Sequence, residues 1–439
     1  MTVRSFATFL LLAAGFACAS VSHAQDEVER IRLHGSNLLG DQLVPSLVQS
    51  WLRAIGYEGL RRRELGAART EISASRDGVP LVVEIDKRGT ASGMKDIVEG
   101  NAEICMSSRP PSARELDAAW QLGDLHSPDQ EWVLGLQGIV LLVSPGNPVS
   151  ALSLAQLDDV VSGRVTNWAQ LGGPAGPIYL HGLSARSGSG ELLSRLVPGG
   201  ARPAATTVHR SYADIVAAVA GDPSAIGLVS LRAPRGQTKA LGIRMAQGTV
   251  FPEPLSVASE DYPLVQRVYF HTGQLITALG RSFAQWAVSP AGQALVARSQ
   301  FVALEQPPLP LPDMAQAPDD YRGFVAASRR LPMTVRFGAG LDLLDSRSRQ
   351  DLQRLVGFLQ RPENRARRVL LMGFANPDPR SPYAALSLSQ ERADYVSSEL
   401  LAANLKVVTV RGFGGKRPLA DARQPLARWR NERVEVWLR

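Results

Sequence analysis

Residues 138–173 read GIVLLVSPGNPVSALSLAQLDDVVSGRVTNWAQLGG. The first six, Gly138–Val143, are an apolar run of the kind that a strand buried on both faces requires. A short helix, Leu154–Val161, follows. The same alternation of strand and helix extends outward. Upstream, Arg30–His34, Leu81–Ile85 and Glu103–Met106 read as strands, and Ser92–Glu99 as a helix. Gly40–Ile55 is helical because Leu43, Val44, Leu47, Val48, Trp51, Leu52 and Ile55 fall on one face. Downstream, Ile178–Leu180, Ala225–Val229 and Val268–Phe270 read as strands and Ser282–Ala297 as one long helix. Arg61–Gly78, rich in Arg, Ala, Ser and Gly, reads as an insertion between a helix and a strand. The pattern predicts an α/β fold with sheets covered by helices.

The chain has 439 residues, 45% hydrophobic and 20% charged, which suits folded protein of two or three domains. Cys18 and Cys105 are its two cysteines, too few for a disulfide framework or a Cys-rich zinc site. Residues 1–24 read as an export signal: Arg4, the apolar run Phe6–Ala19, and Ser22-His23-Ala24 as the cleavage site before Gln25. Phe16 does not fit a lipidation motif at Cys18, and no other stretch approaches the roughly 20 apolar residues of a membrane span. The expected product is exported to the periplasm, without an integral membrane segment.

Glu305–Asp320, EQPPLPLPDMAQAPDD, holds five prolines and marks a linker. The expected division is a first domain over 25–304, a linker over 305–330 and a second domain over 331–439. After the linker, strand, helix, strand, helix and two strands predict a small, separate α/β sandwich. Charge divides there too. Residues 331–439 hold 19 Lys and Arg against 11 Asp and Glu, +8, whereas residues 25–330 hold 28 against 30, −2. Export argues against nucleic acid as the basic part's partner and favours an anionic envelope polymer.

Four loops of small polar residues follow strands or precede helices. They are His34-Gly35-Ser36-Asn37, Arg88-Gly89-Thr90-Ala91-Ser92-Gly93, Met106-Ser107-Ser108-Arg109 and Arg186-Ser187-Gly188-Ser189-Gly190. Helix N-termini offer unpaired N–H groups, small residues let an anion approach them, and hydroxyls add donors. Converging loops of this kind would cage an oxyanion.

IRLHGSNLLGDQLVPSLVQSWL, RGTASGMKDIVEGNAEICMSSRP, the stretch quoted first, DPSAIGLVSL and FAQWAVSPAGQALV together resemble periplasmic phosphate-binding proteins of ABC importers, over Ile31–Leu304. The resemblance implies a type II periplasmic-binding-protein fold: two α/β lobes, a ligand in the cleft, and closure about hinge strands. It implies phosphate or a similar oxyanion as ligand, an ABC-transporter permease as partner, and phosphate contacts at Ser36, Asn37, Thr90 to Gly93 (Ala91 and Ser92 included), Ser107, Ser108 and Ser187 to Ser189. Leu38 departs from the family's Thr. Ser187-Gly188-Ser189 fits the family's Ser-Gly-Thr, which leaves Arg186 near the site but out of register. The alternative register, Ser189-Gly190-Glu191, would set a carboxylate beside the anion.

The last hundred residues resemble OmpA-like peptidoglycan-binding domains through VRFGAGLDLLDSRSRQDLQRLVGFL, GFANPDPRSPYAALSLSQERADYVSSELLAANL, GFGGKRP and the closing Asn431–Val436, similar to N-R-R-V-E-I. The resemblance implies a grip on wall diaminopimelate by an Asp and an Arg. Arg392 matches the Arg. Asn376 stands at the Asp position, with Asp378 two residues on. There is no G-x-S-x-G, H-E-x-x-H or P-loop motif, and the histidines lack ligand spacing, so neither an enzyme nor a cofactor or metal is expected. The sequence thus predicts an exported oxyanion-binding protein anchored to the wall. The rival reading is a wall-associated interaction protein whose cleft has lost its ligand.

Overall fold

All thirteen residues of the strand Glu131–Val143 are buried, and this strand organises the first domain. The structure, a computed structural model, describes residues 28–439 except 42, 185–187, 202–206, 247, 305–316, 338–343, 406 and 422–426. Residues 1–24, expected to be an export signal, lie outside the described residues, as do Arg186 and Ser187. No helix among those described is long and apolar enough to cross a membrane.

One hydrogen-bonded path of strands runs through two lobes. In lobe 1 the strand Glu29–Gly35 lies between Val79–Asp86 and Ile104–Ser107, parallel to both. Val265–Thr272 pairs antiparallel with Ile104–Ser107 and with Glu131–Val143. The second half of Glu131–Val143 then pairs with Ala225–Ser230 in lobe 2, which in turn pairs with Tyr179–Gly182. Each lobe has its own apolar core, around Trp51 and Phe270 in lobe 1 and around Leu141, Leu157 and Trp168 in lobe 2. The chain crosses between lobes where Gly138 passes Leu264 and Leu136 bridges Val302. A Cβ at Gly138 would stand 2.5 Å from the Leu264 carbonyl oxygen, so the crossing strands touch only because glycine is there.

The stretch 138–173 folds as read, and its polar residues serve lobe 2 locally. Ser153 and Gln156 form a reciprocal cap on the helix Leu154–Val161. Asn167 accepts from the backbone N–H groups of Ala169 and Gly176, and Trp168 is buried.

Two expectations change. Arg61–Gly78 is a hairpin, Glu58–Glu64 with Arg69–Arg76, added to the lobe 1 sheet. Thr70, Ile72 and Ala74 turn inward, a period of two hidden among exposed polar residues. Ser282–Ala297 is broken: Ala278–Val288 ends at Ser289, whose side chain caps Pro290–Arg298. Proline at a first helical position starts a helix more readily than it continues one.

The C-terminal unit has a sheet and an apolar core of its own, and it is docked on the first domain. Its strands lie in the order Arg329–Arg336, Arg433–Leu438, Val369–Phe374, Val407–Gly412, with the helices Ser346–Gln360 and Pro382–Ala402 packed on them. The helix Asp319–Val325 belongs to the same unit. Its Tyr321 is fully buried against Phe374, Phe413 and Trp437 and donates to Glu435 at 2.6 Å.

Candidate functional site

The parallel register puts Gly35 beside Met106 and His34 beside Asp86, so three strands end on one edge and three of the four loops meet there. Gly35 has φ 140°, and a Cβ on it would stand 2.1 Å from the Met106 carbonyl oxygen. Its own carbonyl accepts from Gly89 N–H at 2.7 Å, and Ser36 N–H donates to Met106 at 2.7 Å. The loops are thus tied together by backbone.

Each sequence-predicted residue among those described has a definite place. Ser36 is buried at the start of a single helical turn, and its side chain does not cap that turn. Asn37 is exposed, and its side-chain oxygen accepts from Leu38 N–H. Thr90 opens the nine-residue helix Thr90–Val98, with Ala91 exposed and Ser92 half-buried in its first turn. The Thr90 hydroxyl accepts from Ser108 N–H at 3.1 Å and lies 3.3 Å from the Ser108 hydroxyl. Ser107 is fully buried and donates to the Arg109 carbonyl at 2.5 Å, within its own turn. Gly188 begins the lobe 2 helix Gly188–Leu196, and Ser189 faces lobe 1 across a cavity of about 30 Å³ lined also by Leu38, Gln137, Leu192 and Tyr212. That volume is on the scale of one or two water molecules.

The guanidinium groups flanking these loops are already engaged. Arg88 pairs with Asp86 and Asp96 at 2.8 Å each. Arg109 makes a bidentate pair with Glu115, both bonds 2.7 Å. Burial would raise the Glu115 carboxyl, but Arg109 and Ser112 outweigh it and hold it at about 2. His34 is bound to Asp96 at 2.8 Å and is a structural residue. An anion here would therefore meet N–H groups and hydroxyls more than free cations.

Gln137, which sequence reasoning missed, donates to the Ser108 carbonyl at 2.9 Å and lines the gap from a crossing strand. Tyr212, also missed, hydrogen-bonds Ser189. Nothing local in the sequence distinguishes either residue.

In the C-terminal domain, Arg392 is 3% exposed and donates to Glu432 at 2.8 Å. Its guanidinium lies 5.2 Å from the centroid of the Phe337 ring. Its Nε and Nη1 have no hydrogen-bond partner among the described residues. Asn376 accepts from Asn431 at 2.8 Å, next to Glu432 in the chain. Asp378 is exposed and accepts from Arg380 N–H in its own turn. The structure thus brings Asn376, Asn431, Glu432 and Arg392 together, and Asp378 serves that turn. Glu432 was legible as a departure, since it stands where the N-R-R-V-E-I pattern has its first Arg.

A profile described as the PBP superfamily domain matches residues 66–291, and the OmpA family profile matches residues 336–432. The phosphate-binding protein PstS of Bacillus subtilis strain 168 is 25% identical over 219 residues, 50% of this chain and 69% of that protein. Two solved structures share the fold of the first domain. PstS from Borrelia burgdorferi has a TM-score of 0.50 at 16% identity, covering 63% of this chain and 100% of that one. An ABC-type phosphate transport receptor from Vibrio cholerae has 0.50 at 18%, covering 62% and 99%.

Proposed function

The chain belongs to the PBP superfamily and carries a C-terminal OmpA family domain, and on that premise we propose that it is an exported receptor for phosphate or a related tetrahedral oxyanion. In this reading Gln25 begins the mature chain, residues 25–304 form the receptor, and residues 305–330 lead into an anchor over 331–439. The observation that carries the reading is the convergence of three strand-end loops of lobe 1 on one sheet edge, with Leu38, just past the first loop, and Ser189 of lobe 2 lining one cavity. The nine-residue helix Thr90–Val98 opens from one of these loops, and a second nine-residue helix, Gly188–Leu196, begins beside Ser189 in lobe 2. Helix N-termini attract anions through their unpaired N–H groups. Delivery to an ABC-transporter permease follows from the same reading.

Calorimetry on the mature chain with phosphate, methylphosphonate and sulfate tests it, with one-site binding expected. No binding of any oxyanion at millimolar concentration would favour the rival, a wall-associated interaction protein with a vestigial cleft.

For the anchor, Arg392 is the group that would take a diaminopimelate carboxylate, through Nε and Nη1, which are buried without a partner among the described residues, so that the surrounding side chains must part to admit it. Asn376 would face the ammonium without a formal charge. The chain should sediment with purified sacculi, and Arg392→Ala should abolish this at moderate salt. Sedimentation that disappears with salt and ignores Arg392 would leave only charge adhesion.

A further inference from the structure

Two adjacent residues at the start of the helix Ser346–Gln360 hold opposite lobes. The Ser346 hydroxyl is hydrogen-bonded to the Glu131 carboxylate, at the lobe 1 end of the crossing strand. Arg347 donates to the Ala258 carbonyl at 2.5 Å and pairs with Glu260 at 3.0 Å, both on the lobe 2 side. From the neighbouring strand, Arg336 donates to the Ser259 carbonyl at 2.8 Å, and Arg330 pairs with Asp261 at 2.9 Å. In the opposite sense Arg267, on the crossing strand Val265–Thr272, pairs with Asp345 at 2.9 Å. Each of these arginines, with Glu131, Glu260 and Asp261, is less than 9% exposed.

Lobe rotation in this fold must occur at the crossings near Gly138, Leu264 and Val302. It would change the distance between Glu131 and the segment Ala258–Asp261. Both are seated on one rigid helix and strand, so rotation must break either the Ser346–Glu131 hydrogen bond, after which Glu131 keeps His126 at 3.1 Å, or the buried pairs Arg347–Glu260 and Arg330–Asp261. Orphaning a buried charge is among the largest single penalties in a folded protein.

We propose that the C-terminal domain is a clamp across the hinge: it fixes the interlobe angle, and the cleft opens freely only when that domain lets go. The same contacts change the reading of the basic excess, since Arg336 and Arg347 face carboxylates of the first domain and not an external polymer. The proposal does not depend on which ligand the cleft takes, because the angle can be measured without one.

The experiment is a distance measurement by pulsed electron paramagnetic resonance on the full mature chain. Spin labels are placed at Lys95→Cys in lobe 1 and Ala155→Cys in lobe 2, both exposed helix positions, while Cys105 is buried. The wild-type background should give one narrow distance, unmoved by millimolar phosphate. Arg347→Met should broaden it or add a second population. Two wild-type distances would overturn the clamp, and so would a folded variant with the wild-type distribution. Should Arg347→Met fail to fold, Asp261→Asn breaks the neighbouring contacts to Arg330 and Arg336 from the lobe side, and the wild-type measurement still decides.

Discussion

Glu260→Gln tests the energetics of the buried charge cluster where the two domains meet, through Arg267 of the first domain and Arg347 of the second. Glu260 is 7% exposed and accepts from Arg267 Nε and Nη2 at 2.8 Å each, with Arg347 Nη1 at 3.0 Å. Its φ is 57°, so glutamine meets the same backbone demand and keeps the volume. The change removes one charge and leaves two buried guanidiniums facing a neutral amide. Removing one member of a buried pair costs about 3–5 kcal/mol, whereas an exposed pair is worth about 0–1. At roughly 2–4 °C per kcal/mol, the melting transition should fall by about 6–20 °C. The sign with pH is fixed as well. Burial alone would raise the Glu260 carboxyl, but Arg267 and Arg347 drive it well below the ordinary range. Its contribution is therefore complete above the ordinary carboxylate value and is lost only as pH falls through the lower folded value. The penalty of Glu260→Gln should be undiminished from pH 7 to 5, measured by urea unfolding or calorimetric scanning. A loss under about 1 kcal/mol would mean that the pairing is solvated in solution and that the buried interface is not as described.

Two further outcomes follow from the site. Thr90→Val removes the acceptor for Ser108 N–H and one hydroxyl from the rim; a lost bond to a charged group is worth about 1.5–3 kcal/mol, so calorimetry should find phosphate binding weaker by about 10- to 100-fold. His271 is fully buried, and burial, opposed by Glu131, lowers its pKa to about 4. Its neutral form stabilises the fold fully above the ordinary histidine value, and that stability is lost as pH falls toward the folded value, by about 3 kcal/mol. His271→Gln should flatten the fall in melting temperature between pH 6.5 and 4.

The sequence made the lobes legible because their signals are local. The apolar run Gly138–Val143, the Leu43–Ile55 face and the small-residue loops each announce a strand, a helix or a helix start within a dozen residues. The hairpin Glu58–Arg76 was hidden because only Thr70, Ile72 and Ala74 carry its alternation among arginines and serines. The meeting of the three lobe 1 loops follows from parallel register, which family likeness implied and composition could not. Gln137 and Tyr212 reach the gap only through tertiary packing. The docking of the C-terminal domain was illegible for a different reason. An arginine destined for a buried pair looks, in sequence, like one destined for solvent, so Arg336 and Arg347 counted toward a basic surface.

The C-terminal site carries the same lesson to a single residue. Asn376 takes a charge away where the family pattern has an acid, and Glu432 supplies one where that pattern has an arginine. Glu432 binds Arg392 at 2.8 Å and Arg428 at 2.9 Å, so Arg392 is neutralised before any ligand arrives. Burial and Arg428 lower the Arg392 pKa against the pull of Glu432, but the guanidinium stays charged at neutral pH. A carboxylate docking there would be held by the directed N–H groups at Nε and Nη1 and by the desolvated surroundings, not by net charge. Contacts of that kind are screened little by salt, unlike exposed charges beyond about 8 Å at physiological ionic strength. The contribution of Arg392 to wall binding should therefore be nearly constant with salt, while whatever the exposed arginines add should decay. The salt series on wild type and Arg392→Ala separates the two, because the difference between the curves isolates the buried contact. A difference that shrinks in parallel with total binding would place Arg392 among the surface charges and contradict its burial.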